Sequence, residues 1–213
     1  MPKLGMEPIR REALIEATIH EIGHRGSLDV TVSQIARRAG VSSALAHHYF
    51  GGKEQIFTAA MRHILSVYGT RVRAALALAE GPRARLAAII RASFEAGNFR
   101  PEVIAAWMNF YVQAQTSEEA RRLLRVYQHR LRSNLLHALR PLAGTRAPGI
   151  AATIAALIDG LYIRHALREA DPDPRRAGDQ VLDALEALLA SPAGSRSLPG
   201  DRAKHPGGGR KEA

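Results

Sequence analysis

The sequence predicts an all-α fold, and three observations support this prediction. Apolar residues recur at intervals of three and four along most of the chain, and no stretch keeps the alternation of a strand. Residues that favour helix starts precede these stripes, and glycines follow them. Hydrophobic residues make up 46% of the 213 positions, which is enough for a substantial core. We predict about nine helices.

The first predicted helix ends near Gly26, because glycine readily adopts the left-handed conformation that closes a helix. Its apolar stripe consists of Ile15, Thr18, Ile19 and Ile22. Thr31 and Gln34 then form a T-x-x-Q capping box, in which each side chain satisfies a free backbone N–H of the other. This pattern predicts a short helix over Val32–Ala39.

Ser42 is a suitable N-cap for a second short helix, Ser43–Tyr49, and Gly51 and Gly52 interrupt it. A long helix is predicted to begin near Lys53. Its stripe consists of Phe57, Ala60, Met61, Ile64 and Tyr68.

Five more helices are predicted after this one. Prolines suit the first turns of three of them, at Pro82, Pro148 and Pro174. Another helix covers residues from Glu102 to about Gln115. Thr116 and Glu119 form a further capping box, which opens a helix that runs to about Leu139.

Composition divides the chain into three parts. Residues 1–54 hold the short helices and predict a small domain, and residues 55–190 hold the longer helices of a larger one. Residues 191–213 are rich in Gly, Pro, Ser and basic residues and lack apolar periodicity, which predicts a disordered basic tail.

The formal net charge is +10 and the pI is about 10.7, which favours contact with nucleic acid or with an anionic membrane. A protein lying on a membrane surface would instead show a basic amphipathic face. Cysteine is absent, which excludes disulfides and cysteine-based metal sites. No apolar run looks long enough to cross a bilayer and no export signal is visible, so we expect no membrane partner and a cytoplasmic protein.

The string HEIGH at positions 20–24 raises the possibility of a zinc protease. On a helix, His20 and His24 share a face and could hold one metal, with Glu21 as the general base. Such a site needs a third protein ligand, and no second cluster of histidine and acidic residues follows. The polar face of an amphipathic helix explains the string equally well. We therefore expect no metal, no cofactor and no catalytic residue.

The stretch TVSQIARRAGVSSALAHHYFGGKE, residues 31–54, indicates DNA binding. Two short helices meet at a glycine turn, which is the helix-turn-helix arrangement. The second helix of such a motif enters the major groove and presents its N-terminal side chains to base edges. The candidate DNA-binding residues are Ser33, Gln34, Ser42, Ser43, Leu45, His47, Tyr49 and Lys53. A solvated helix face is the alternative, and Lys3, Arg10 and Arg11 either touch the DNA backbone or stay solvated.

At these residues the chain resembles the TetR family of repressors. The matching pattern is T-V-x-x-I-A-x-x-A-G-V-S, followed by H-Y-F and K-E. The resemblance implies a homodimer that binds a double-stranded DNA operator through the first domain and a small effector in the second. It also implies dimerisation through the last two helices, around Ile154–Leu161 and Leu182–Leu189. His47, Ala44 and Gly52 depart from the residues that the family usually has there.

Segments outside the motif narrow this resemblance. They are MPKLGMEPIRRE at the start, AWMNFY at Ala106–Tyr111, RLRSNLL at Arg130–Leu136 and ALIDGLYIR at Ala156–Arg164. They are similar to a choline-responsive branch of the family, whose repressors control glycine betaine synthesis. The resemblance therefore implies choline as the effector. An efflux substrate or another metabolite is the alternative.

An aromatic stripe supplies a candidate ligand site. Trp107, Phe110 and Tyr111 stand at i, i+3 and i+4 on one helix face, and such rings attract quaternary ammonium groups through cation–π interactions. The candidate ligand-binding residues are Trp107, Phe110, Tyr111, Asp159 and Tyr162. A core stripe would look the same, and Asp159 could instead pair with Arg164 or another arginine.

Overall fold

The computed structural model describes residues 5–167 and 173–191. Within these ranges the regular structure is helical, and no strand occurs. The α-helices are α1 (Met6–Arg25), α2 (Val32–Arg38), α3 (Ser43–Phe50), α4 (Lys53–Ala77), α5 (Gly81–Ser93), α6 (Pro101–Thr116), α7 (Glu118–Ala143), α8 (Ala147–Ala166) and α9 (Pro174–Ala190). A 3₁₀ turn, Gly144–Arg146, joins α7 to α8. The all-α prediction is confirmed, whereas Lys3 and the predicted tail beyond Ser191 lie outside the described residues.

Side-chain caps set the starts of the two short helices. The Thr31 hydroxyl accepts a hydrogen bond from the Gln34 backbone N–H at 3.2 Å, and the Gln34 side-chain oxygen accepts one from the Thr31 N–H at 2.8 Å. The Ser42 hydroxyl accepts one from the Leu45 N–H at 3.2 Å. Gly40, with a φ of 68°, supplies the left-handed turn between α2 and α3. The structure confirms both predicted caps.

The predicted capping box at Thr116 is wrong by one residue. Ser117 caps α7, because its hydroxyl accepts a hydrogen bond from the Ala120 N–H at 3.4 Å. Thr116 still belongs to α6 and donates its hydroxyl proton to the Gln113 carbonyl at 3.3 Å. Helix α7 also runs past the end predicted near Leu139 and ends at Ala143. Pro141 lies inside its last turn and does not end the helix.

The buried side chains form two clusters. The smaller cluster consists of Leu14, Ala17, Ile35, Ala36, Ala46 and Ile56. The larger one fills the space among α4 to α9, and it also receives Ile19 and Ile22 from α1. Because α1 contributes to both clusters, the three N-terminal helices are packed directly onto the rest of the molecule. The domain boundary that the sequence suggests after residue 54 stays a prediction.

The sixth helix is the main neighbour of α1 outside the short helices. At the closest point, a Cβ atom added to Gly23 would lie 2.5 Å from the Glu102 Cα. Two polar contacts support the same junction: the Asn109 amide donates to the Gly26 carbonyl at 3.5 Å, and Arg100 pairs with Glu16 at 3.5 Å. Helices α1 and α6 are therefore in direct contact through both backbone and side-chain atoms.

The eighth helix exposes apolar surface. Leu157 and Ile163 are 37% and 46% exposed, and Leu167, which directly follows the helix, is 70% exposed. One stretch within Glu118–Ala166 has the length and mean hydropathy of a membrane span, and 33% of it is buried. The expectation that no stretch has this composition is therefore wrong. A core helix of a water-soluble protein has the same composition, so the stretch alone does not indicate a membrane.

Candidate functional site

The second and third helices pack against each other and against α1, and we call this pair of helices the head. Ile35 and Ala36 of α2 and Ala46 of α3 are buried in the smaller cluster, so the buried sides of the two helices hold them at a fixed angle. Glu21 of α1 accepts a hydrogen bond from Arg38 of α2, which also lowers the pKa of the Glu21 carboxyl group. The opposite sides of α2 and α3 remain open to solvent.

Several predicted DNA-binding residues lie together on this open side. Ser33 and His47 are exposed, and Ser43 and Leu45 are partly exposed. The Ser43 hydroxyl lies 3.1 Å from the Ser33 hydroxyl, so a hydrogen bond joins the two helices on this open side. His47 Nδ1 lies 2.7 Å from the Gly51 carbonyl oxygen, which leaves the other ring nitrogen available to DNA.

Other predicted DNA-binding residues also have structural contacts. Gln34 and Ser42 use their side chains as caps, as described above. Lys53 donates to the Leu28 carbonyl at 3.1 Å, and Tyr49 packs beside the smaller cluster with the Arg11 guanidinium 5.2 Å from its ring centre. Arg11 is thus held against the head. DNA contact by these residues stays a prediction.

Arg37 is a basic residue that the sequence reasoning missed. It is exposed in the last turn of α2, on the same head as Ser33. The signal was present in the sequence, because Arg37 and Arg38 are adjacent and only one of them could pair inward with α1. A guanidinium in this position is suited to a phosphate contact.

The HEIGH string does not form a metal site. Its Glu21 is engaged with Arg38, and His20 and His24 are exposed. Among residues 5–167 and 173–191, no group of three or more potential metal-binding side chains comes together.

A small internal cavity lies among α4, α5, α6, α7 and α8, and aromatic rings form much of its wall. Its volume is about 10 Å³, roughly the room for one water molecule. The lining residues are Ile64, Tyr68, Ser93, Asn98, Trp107, Tyr127 and Tyr162. Two of the five predicted ligand-binding residues, Trp107 and Tyr162, therefore belong to this wall.

The other three predicted ligand-binding residues are placed differently. Tyr111 stacks beside Trp107 with ring centres 5.8 Å apart, and its hydroxyl donates to Asp159 Oδ1 at 3.0 Å. Phe110 does not line the cavity. It is fully buried and packs edge-on against Phe57, with ring centres 6.5 Å apart. The role of each of these residues in ligand binding stays a prediction.

Two rings of the wall were missed by the sequence reasoning. Tyr127 stacks against Trp107 with ring centres 4.8 Å apart, and Tyr68 packs edge-on against Tyr127 at 5.9 Å. Each tyrosine lies on a separate helix, α7 and α4, inside an ordinary apolar stripe. Sequence spacing along one helix therefore gives no sign that they meet Trp107.

The electrostatics of this region favour a cation. Burial raises the pKa of Tyr127 and of Tyr162 well above the usual range, so both hydroxyls are neutral at physiological pH. Burial also raises the pKa of Asp159, and the hydrogen bond from Tyr111 opposes this rise. Asp159 does not line the cavity, but it is joined to the wall through Tyr111, whose ring lies beside Trp107. A partly buried carboxylate near aromatic rings has the chemistry that recognises a cation without N–H donors.

Comparison with known proteins identifies the family. A family model described as bacterial regulatory proteins of the tetR family matches residues 14–60, and one described as the C-terminal domain of BetI-type transcriptional repressors matches residues 82–190. The chain belongs to the TetR family. TetR-family regulators bind DNA operators and small-molecule effectors and are not enzymes, so the protein is a DNA-binding transcriptional repressor rather than a metallopeptidase.

Two relatives carry the name HTH-type transcriptional regulator BetI. The protein from Brucella anthropi is 57% identical over 190 residues, which cover 89% of this chain and 98% of the relative. The protein from Agrobacterium fabrum is 52% identical over 204 residues, which cover 95% and 99%. Within the TetR family, the chain is therefore similar to regulators of the BetI type over most of its length.

Solved structures share the TetR-like fold. A transcriptional regulator from Pseudomonas aeruginosa is 30% identical and superposes with a TM-score of 0.71, over 88% of this chain and 93% of that one. A transcriptional regulator from Saccharomonospora viridis, solved in complex with choline, has a TM-score of 0.76 at 21% identity, over 84% and 97%. At that identity the second likeness concerns the fold alone.

Proposed function

We propose that this TetR-family repressor is a cytoplasmic homodimer released from its operator by choline, and that it controls glycine betaine synthesis genes. The observation that carries the choline assignment is the wall of aromatic rings around Trp107. The partly buried carboxylate of Asp159 adds to it, because it accepts a hydrogen bond from Tyr111, whose ring lies beside Trp107. A trimethylammonium group has no N–H to donate, so ring faces and one carboxylate are the chemistry that recognises it. The names of the relatives support the same effector.

The small cavity volume suggests how choline would act. A cavity of about 10 Å³ holds about one water molecule, so choline can enter only if the surrounding rings separate. Those rings belong to α4, α6, α7 and α8. Since α6 lies directly against α1, separation of the rings would shift the head and change the spacing of the two heads in a dimer. Both heads could then no longer occupy successive major grooves.

Choline binding tests this assignment. Isothermal titration should show that choline binds, and that its neutral isostere with carbon in place of nitrogen binds far more weakly. Trp107→Leu should weaken choline binding about tenfold or more, because it removes the ring that faces Tyr127 and Tyr162, and cation–π contacts contribute roughly 0.5–2 kcal/mol each.

Phe57→Leu is the matched control for this experiment. It also removes a buried ring, but Phe57 packs against Phe110, with ring centres 6.5 Å apart, and does not line the cavity. Choline affinity should therefore change little in this variant. Equal binding of the neutral isostere would leave a TetR-type repressor whose effector is another metabolite or an efflux substrate.

The dimer proposal needs a more careful choice of residues than sequence reasoning made. The apolar ranges predicted for the interface were Ile154–Leu161 and Leu182–Leu189. Within them, Ile158 and Leu185 are 1% and 2% exposed and face the core of their own protomer. Leu157 is exposed on α8 and is therefore available to a partner, and Leu161, Leu182, Leu188 and Leu189 are half-buried.

We expect Leu157→Glu to give folded monomers that no longer bind a pseudo-palindromic operator, because one head alone makes only half of the contacts. Light scattering would report the mass, and a DNA-binding titration at several salt concentrations would report affinity. Binding by the unmodified protein should weaken steeply with salt, since phosphate contacts release counterions. Leu78→Glu, at an 86% exposed position between α4 and α5, should leave both properties unchanged. An intact dimer in Leu157→Glu would place the interface elsewhere.

A further inference from the structure

A second, larger space lies outside the aromatic cavity. It is an open groove of about 530 Å³ between α4 and α7, and this volume is typical of small-molecule sites. Its apolar lining consists of Leu65, Val72, Leu76, Leu123, Val126 and Leu131. None of the five residues predicted to bind choline lines it. The groove is therefore a space that the proposed function does not use.

The polar lining of the groove is basic. Arg62, Arg73, Arg130 and His129 line it, and no aspartate or glutamate does so among the described residues. Arg62 pairs with Glu119, which lies outside the groove lining, and Arg73 donates to the Thr70 hydroxyl at 2.9 Å. Three guanidinium groups and one imidazole thus surround an apolar floor. Choline is a cation, and the guanidinium groups of Arg73 and Arg130 would repel it.

We infer that the groove is a second ligand site, for an organic anion with an apolar body, such as a medium-chain carboxylate. The apolar floor would cover the hydrocarbon part, whose burial contributes roughly 25 cal/mol per Å². Arg73 and Arg130 would bind the anionic group, because guanidinium donors form short, charge-assisted hydrogen bonds with carboxylates. The charge complementarity favours this ligand class over neutral or cationic amphiphiles.

The groove and the aromatic cavity lie next to each other. Tyr68 and Tyr127 line both spaces, and their rings pack edge-on at 5.9 Å. Tyr127 also lies 4.8 Å from Trp107, the single tryptophan of the chain. A ligand that displaces Tyr127 from the groove side would therefore change the surroundings of Trp107. Tryptophan fluorescence can report occupancy of a site that the tryptophan itself does not line.

Octanoate, kept well below its micelle concentration, is the probe for this site. Titration of the full chain should show calorimetric binding together with a change in Trp107 fluorescence. Octanol and octylammonium have the same chain with no charge and with the opposite charge. Each should bind about tenfold more weakly or worse, because it cannot replace the charge-assisted bonds.

Two substitutions locate the site. Arg73→Gln combined with Arg130→Gln should weaken octanoate binding about tenfold or more, and both positions are exposed, so folding should be preserved. Arg122→Gln, at an exposed position of α7 outside the groove, is the matched control and should have no effect. Circular dichroism would confirm that all three substitutions leave the helices intact.

Three results would overturn the inference: octanol binding as tightly as octanoate, unchanged affinity in the double variant, or binding of anionic vesicles without binding of free octanoate. The choline assignment is tested separately, because choline binding is expected to persist in the double variant. Failure of one proposal would therefore not be mistaken for failure of the other.

Discussion

Gly23→Ala should lower both the stability of the repressor and its affinity for an operator, although alanine is normally the better helix former. Gly23 lies inside α1, where replacement by alanine would ordinarily stabilise the helix by roughly 0.5–1 kcal/mol. The added Cβ would lie 2.5 Å from the Cα, Cβ and Cγ atoms of Glu102. One of these is a backbone atom of α6, so rotation of a side chain cannot relieve the overlap.

The overlap forces α1 and α6 apart. Overpacking of this kind costs roughly 1–3 kcal/mol, which exceeds the gain in helix propensity. The separation would also change how the head sits on the ligand-binding part, because α1 carries residues of both buried clusters. Thermal unfolding and an operator titration on the same preparation would measure the two effects.

Gly149→Ala is the matched control for this substitution. Gly149 is also helical, in the first turns of α8, and a Cβ atom there meets nothing within 4 Å. The control should be neutral or slightly stabilising and should not affect operator binding through α1. Unchanged stability and operator affinity in Gly23→Ala would mean that α6 adjusts freely, and would argue against α6 as the element that moves the head.

Local features of this fold could be predicted from sequence because their causes lie within a few residues. The Thr31 and Gln34 caps and the Gly40 turn depend on side chains and backbone within one turn of a helix. The error at Thr116 shows the limit of such reasoning. Thr116 and Ser117 are adjacent hydroxyl residues, and the choice between them depends on where the preceding helix ends.

The ligand region could be predicted only in part, because its geometry depends on which helices meet. The spacing of Trp107, Phe110 and Tyr111 predicted one face of α6, but of these three residues only Trp107 lines the cavity. Phe110 turns toward Phe57, whereas Trp107 meets Tyr127 from another helix. No pattern within α7 marks Tyr127 as a partner of Trp107. Tertiary packing therefore decides which aromatic residues can touch a ligand.

Asp159→Asn should stabilise the unliganded protein and weaken choline binding. Burial raises the pKa of Asp159, which means that the folded state binds the proton more tightly than the unfolded state does. Above the folded pKa, the ionised group therefore lowers the free energy of unfolding. That penalty is relieved as the pH falls through the folded pKa toward the unfolded value. Asparagine keeps the shape and can still accept the Tyr111 hydrogen bond, but it carries no charge.

The ionised Asp159 carboxylate is expected to strengthen choline binding, although it lowers the free energy of unfolding. A cation compensates the buried carboxylate, so choline should bind the ionised form and its affinity should fall as the pH drops through the Asp159 pKa. In Asp159→Asn, choline affinity at neutral pH should be lower by about tenfold or more, which corresponds to about 1.4 kcal/mol. Choline affinity of this variant should also no longer change with pH around the pKa that Asp159 has in the unmodified protein. Calorimetry over a pH series and thermal unfolding without ligand measure the two effects.

Asp183→Asn is the control for the loss of one negative charge in Asp159→Asn. Asp183 is exposed on α9, so its replacement changes the net charge by the same amount without relieving a buried carboxylate. It should alter neither the melting temperature nor the choline affinity appreciably.

If Asp159→Asn proved less stable than the unmodified protein, the carboxylate would be a structural partner of Tyr111. If it proved more stable but bound choline normally, the aromatic rings alone would recognise the cation. Only higher stability together with weaker binding fits a carboxylate that is kept, at a cost to folding, for a cationic effector.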